Sequence, residues 1–108
     1  MKEYVVIFSN KAEEDLNNIF AFVKEVSSKW EAEIVVRRII KKAMRLDVFP
    51  ERSEVIYRDK RGCAYRVATS GRYRLVYVVK RQENKVLIAR IISVGQNTED
   101  YLSEHPTE

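Results

Sequence analysis

Residues 4–8, Tyr-Val-Val-Ile-Phe, form an uninterrupted β-branched and aromatic run, which predicts a strand. Ser9 and Asn10 end the run, and either can cap a following helix. Glu13, Glu14 and Asp15 then fall in the first helical turn, where negative charge suits the helix dipole. Ala12, Leu16, Ile19, Phe20 and Val23 recur at helical spacing, so an amphipathic helix of about 17 residues is expected. Ser27-Ser28 breaks that pattern. Ser28 with Glu31 has the spacing of a capping box, so a second helix should begin near Lys29. Its inner face reads Ala32, Val35, Val36, Ile39, Ala43 and Leu46, widened by Ile40 and Met44. So short a break folds the two helices into an antiparallel hairpin, and Pro50 bars helix past Phe49.

From residue 55 the period changes from helical to alternating. Val55-Ile56-Tyr57 reads as a short extended piece, and residues 64–69 alternate up to the turn signal Ser70-Gly71. In residues 72–80, Tyr73, Leu75, Tyr77 and Val79 share one face, and Arg72, Arg74, Val76, Val78 and Lys80 share the other. A polar turn at 81–85 leads to a last strand over 86–93, and Thr98 opens a short helical turn. The expected fold is α+β: β-α-α-β-β-β, an antiparallel sheet with a two-helix hairpin on one face. The first strand joins as an edge, and the short C-terminal helix follows. A chain of 108 residues fits one domain, and no run of apolar residues approaches the roughly 20 needed to span a bilayer. The opening apolar run is also too short for a signal-peptide core, so a cytoplasmic protein is expected.

Charge sharpens this picture through its distribution. The whole chain carries +4. Residues 1–54 balance ten basic against ten acidic side chains, whereas residues 55–96 hold ten basic and two acidic ones. Residues 97–108 hold four acidic and no basic ones. The excess positive charge therefore lies in the strand region and points to a polyanionic partner. Arg66 and Arg74, on consecutive hairpin strands, are the leading candidates for a phosphate-binding pair, because a guanidinium presents a planar fork of donors. Arg58, Lys60, Arg61, Arg72 and Arg90 can extend that surface. Tyr57 and Tyr65 could stack a base if exposed, whereas Tyr73 and Tyr77 belong to the core by alternation. The single cysteine, Cys63, excludes an internal disulfide, and one Cys with one His makes no metal site. No phosphate loop and no Ser/His/Asp set is present, and no cofactor is expected.

Ala64-Tyr65-Arg66-Val67, Tyr73-Arg74-Leu75-Val76-Tyr77 and Ile92-Ser93-Val94-Gly95 together resemble the last three strands of RelE-type toxins. Ser9, Ala12, Asp15 and Leu16, followed by the aromatic landmark Trp30, resemble the helix start of the ParE branch of the same superfamily. The resemblance covers about residues 4–97. It implies the toxin half of a type II toxin–antitoxin (plasmid stabilization) system, silenced by a cognate antitoxin. RelE-type members are metal-independent endoribonucleases that cleave messenger RNA on the ribosome, and this resemblance makes that activity the first expectation. ParE-type members poison DNA gyrase, the alternative, and a degenerate toxin that only binds its antitoxin is a third. Carried over by position, Arg74 matches the RelE arginine at the scissile phosphate, Arg66 stands in for a strand lysine, and Tyr101 stands near the C-terminal tyrosine. Ala68 replaces a second lysine, and Asn97 (after Gln96) replaces an arginine. Arginine cannot readily act as a base, its pKa exceeding about 12, so the base would fall to Asp59 or Glu83.

Overall fold

The computed structural model describes residues 3–105. The chain runs β1 (Val5–Phe8), α1 (Asn10–Val26), α2 (Lys29–Met44), β2 (Val55–Arg58), β3 (Ala64–Ser70), β4 (Tyr73–Lys80), β5 (Lys85–Ser93) and α3 (Thr98–Glu104). Single 3-10 turns at Arg45–Asp47, Pro50–Arg52 and Arg81–Glu83 link these elements. Ser9 is the cap of α1: its Oγ accepts the Ala12 N–H at 3.0 Å. Ser28 does the same for α2 through the Glu31 N–H. The hairpin and both helix starts therefore form where the capping chemistry places them.

The sheet order is β1-β5-β4-β3-β2. β3, β4 and β5 form the expected antiparallel meander, and β1 joins the edge of β5 in parallel. The extended piece at 55–57 is a fifth strand, β2, which pairs with β3 across a bulge. α1 and α2 cover one sheet face, and the larger core lies between them, built on Ile39, Leu46, Leu75, Tyr77, Val86 and Ile88. The second face carries a smaller cluster of Tyr65, Val76, Ala89 and Ile92, sealed by Leu102 of α3. The segment after α2 is clamped to the sheet by the Tyr77 hydroxyl, which donates to the Pro50 carbonyl at 2.7 Å while fully buried.

Candidate functional site

The two arginines expected to converge lie on opposite faces of the sheet. β3 and β4 are joined through Gly71-Arg72, with Ser70 opposite Tyr73. Gly71 takes φ 59° at the first turn position, where a side chain would be strained. This register sets Arg66 across from Tyr77 and Arg74 across from Thr69. Directly opposed residues share a face, so Arg66 lies on the helix-covered side with Tyr77, and Arg74 lies on the side of α3. The paired-arginine phosphate site is therefore not assembled.

Each arginine has its own partners. Arg66 donates through Nη1 to the carbonyls of Glu51 and Ser53, fastening the loop before β2. Arg74 donates through Nη1 to the Gln96 carbonyl at 3.0 Å and to the Thr98 hydroxyl at 3.2 Å, fastening the entry to α3. Arg74 also lines an open groove with Ile56, Val67, Val94, Asn97 and Glu99. Asn97, where a family arginine was expected, caps α3 by accepting the Asp100 N–H.

The remaining predicted basic residues scatter. Arg90 belongs to a partly buried bidentate pair, its Nε 2.9 Å and its Nη2 3.0 Å from the two carboxylate oxygens of Asp15. The same carboxylate accepts the Ile91 N–H. The cause is local. β1 ends opposite Ile88, so the edge of β5 beyond it lacks a strand partner. Ser9 Oγ donates to the Ala89 carbonyl and Asp15 takes the Ile91 N–H, replacing the missing ladder. Asp15 thus serves the sheet edge, a role that its place near the start of α1 did not suggest. Its hydrogen bond, against the opposing cost of desolvation, raises the Arg90 pKa further and keeps the guanidinium charged. Arg90 also lies 5.2 Å from the centroid of the Tyr101 ring, which stacks on His105 at 4.1 Å. Burial raises the Tyr101 phenol, partly countered by the charge of Arg90.

Arg61 pairs with Asp59 in the β2–β3 turn, with Lys60 exposed between them, and Arg58 lies opposite Ala64 on the face of Arg66. Arg72 lines a hollow on the helix side with Phe22, Val26, Val35, Arg38 and Tyr73. The two carboxylates considered as bases are committed to turns. Asp59 accepts from the Arg61 and Cys63 N–H groups and the Tyr65 hydroxyl, and Glu83 pairs with Lys85. Neither lines the Arg74 groove, whereas Glu99, the first carboxylate of the acidic C-terminal segment, does.

A family model described as the ParE toxin of the type II toxin–antitoxin system, parDE, matches residues 6–98. No curated protein matches the chain. Among solved structures, the chromosomal ParDE TA system from P. aeruginosa aligns at a TM-score of 0.70 with 18% identity, over 84% of this chain and 96% of that one. The RelBE2 toxin–antitoxin complex from Mycobacterium tuberculosis aligns at 0.65 with 22% identity, over 86% and 93%. The archaeal RelE–RelB complex from Pyrococcus horikoshii OT3 aligns at 0.61 with 18% identity, over 88% and 99%. These likenesses concern the fold.

Proposed function

Because the chain belongs to the ParE toxin family of type II toxin–antitoxin systems, we propose that it arrests growth by binding DNA gyrase rather than by cutting messenger RNA. The observation that carries this reading is the separation of Arg66 from Arg74 by the sheet itself. In-line attack by a 2′-hydroxyl builds charge on one phosphate, which needs cations and a base converging on one point. Here Arg66 holds the loop before β2, Arg90 is held by Asp15, and Arg74 alone faces the groove. An inhibitor that acts by occupying a protein surface needs no such convergence.

The partner that silences it is an antitoxin segment of acidic, amphipathic character. The hollow between α1, α2 and the β3–β4 turn suits such a segment, with Phe22, Val26, Val35 and Tyr73 as apolar walls and Arg38 and Arg72 at its rim. Phe22 and Val26 are 60% and 64% exposed in the free chain, an apolar surface that a partner would cover.

The test compares two readouts with the same full-length protein. Purified toxin should inhibit gyrase supercoiling of a relaxed plasmid, and cells expressing it without the antitoxin should keep their transcripts intact. Transcripts cut on translating ribosomes, with supercoiling unaffected at high protein excess, would overturn the proposal in favour of the nuclease.

A further inference from the structure

The outer surface of α2 carries a row of cations that the charge balance of the N-terminal half conceals. Residues 34–46 hold five basic side chains and no acidic one. Arg38 turns toward the hollow described above. Arg37, Lys41 and Arg45 are exposed, and Lys42 is half-buried beside them. At about 100° per residue, Arg37, Lys41 and Arg45 fall within an arc of roughly 80°, which Lys42 extends to roughly 140°. None of the four forms an ion pair among the described residues. The last turn of α2 does gain from positive charge against its dipole. That accounts for Lys41 and Lys42 but not for Arg37, nearly two turns from the end.

We propose that this face of α2 binds duplex DNA through its phosphate backbone. Successive cations in the row are about 6 Å apart along the axis, close to two base-pair steps of about 3.4 Å. The row stands on a convex rod about 10–12 Å across, which fits the B-form major groove of about 12 Å. An A-form RNA duplex has a deep, narrow major groove that admits no helix. An acidic peptide gains most from a walled groove, which this convex face lacks. Ile40 and Met44, 38% and 49% exposed, border the row and offer apolar contact to thymine methyls. This surface is separate from the Arg74 groove and holds whether or not gyrase is the protein target. If gyrase is the target, α2 would contact the DNA that the enzyme carries.

The experiment is fluorescence anisotropy of the purified full chain with a labelled duplex of about 20 base pairs, in the absence of gyrase. Binding should weaken with salt with a log–log slope of about −3 to −4, as four neutralised phosphates require. R37E/K41E/R45E should reduce affinity at least about tenfold. K24E/K29E/K80E, an equal change of charge at exposed positions elsewhere, should reduce it far less; circular dichroism checks the fold of both. No binding at about 50 mM salt, equal losses in the two variants, or tighter binding to a double-stranded RNA of the same length would each overturn the proposal. Because no gyrase is present, none of these outcomes bears on the supercoiling test.

Discussion

Replacing Asp15 should destabilise the protein more than any single change at the basic residues of the strand region. Its carboxylate accepts three hydrogen bonds, two from Arg90 and one from the Ile91 backbone. The side chains of Asp15 and Arg90 are only 12% and 15% exposed. Asp15→Ala leaves a largely desolvated guanidinium and an edge N–H without acceptors. Breaking one side of a buried pair costs about 3–5 kcal/mol, and the residual exposure of Arg90 places this case near 3 kcal/mol. With a urea m-value of about 1.5 kcal/mol/M, the unfolding midpoint should fall by about 2 M. Asp15→Asn keeps an acceptor for Ile91 and should cost about 1–2 kcal/mol. The double variant Asp15→Leu/Arg90→Met removes both charges while keeping volume but leaves the Ile91 N–H without its acceptor, and should recover to within about 1–2 kcal/mol of the parent. Urea melts followed by circular dichroism give all four values. A midpoint shift for Asp15→Ala below about 0.3 M, or a double variant no better than the single one, would refute the assignment of the edge to this pair.

Two further outcomes follow from buried and turn-forming groups. Tyr77→Phe removes the hydroxyl that satisfies the Pro50 carbonyl in the core, and should cost about 1–3 kcal/mol in the same melts while leaving the sheet intact. Asp59 titrates below its ordinary 3.8: partial burial pushes it up, but the N–H groups of Cys63 and Arg61, the Tyr65 hydroxyl and the Arg61 charge together outweigh that. A carboxylate depressed on folding stabilises the folded turn above its ordinary pKa and ceases to as pH falls through the lowered value. The Gly62 and Cys63 amide resonances should therefore titrate with a midpoint below 3.8, and Asp59→Asn should abolish that transition.

Much of the fold was legible because its signals are local. Ser28 caps where its spacing to Glu31 said it would, Ser9 proved to be the cap of the two candidates for α1, and the alternation of β4 placed Tyr77 in the core. The separation of Arg66 from Arg74 was also within reach, through arithmetic on the turn. A two-residue hairpin opposes residues whose numbers sum to an odd value, as 70 and 73 do. Two even-numbered residues on such strands must then face opposite ways. Other features were not legible from a strand pattern. The bulge between Val76 and Tyr77 in the β4–β5 register, and the early end of β1, together decide that Arg90 meets Asp15, 75 residues away. The cations of α2 escaped for a different reason. Summing charge over residues 1–54 cancelled them against the acids of α1 and of the first turns of α2, which hid a run of cations confined to the second half of that helix.

No modest motion brings Arg66 to Arg74, which gives the inhibitor reading its physical force. Moving Arg66 to the other face requires β3 to slip by one residue against β4, and such a slip turns over every side chain of the strand. Ala68, 9% exposed in the main core, would leave the helices, and Tyr65, 3% exposed beneath α3, would be driven under them. A phenol forced into the space that Ala68 leaves overpacks a dense core, while its removal empties the second cluster, and each effect costs on the order of 1–3 kcal/mol or more. Against a typical folding stability of about 5–15 kcal/mol, a ligand would have to supply that difference before any chemistry began. Arg74 can adjust more cheaply, because what holds it is one carbonyl and one hydroxyl at the mouth of a short terminal helix. The groove on the α3 face therefore holds a single guanidinium beside Glu99, which can bind an anion but has no second cation lining the groove with it.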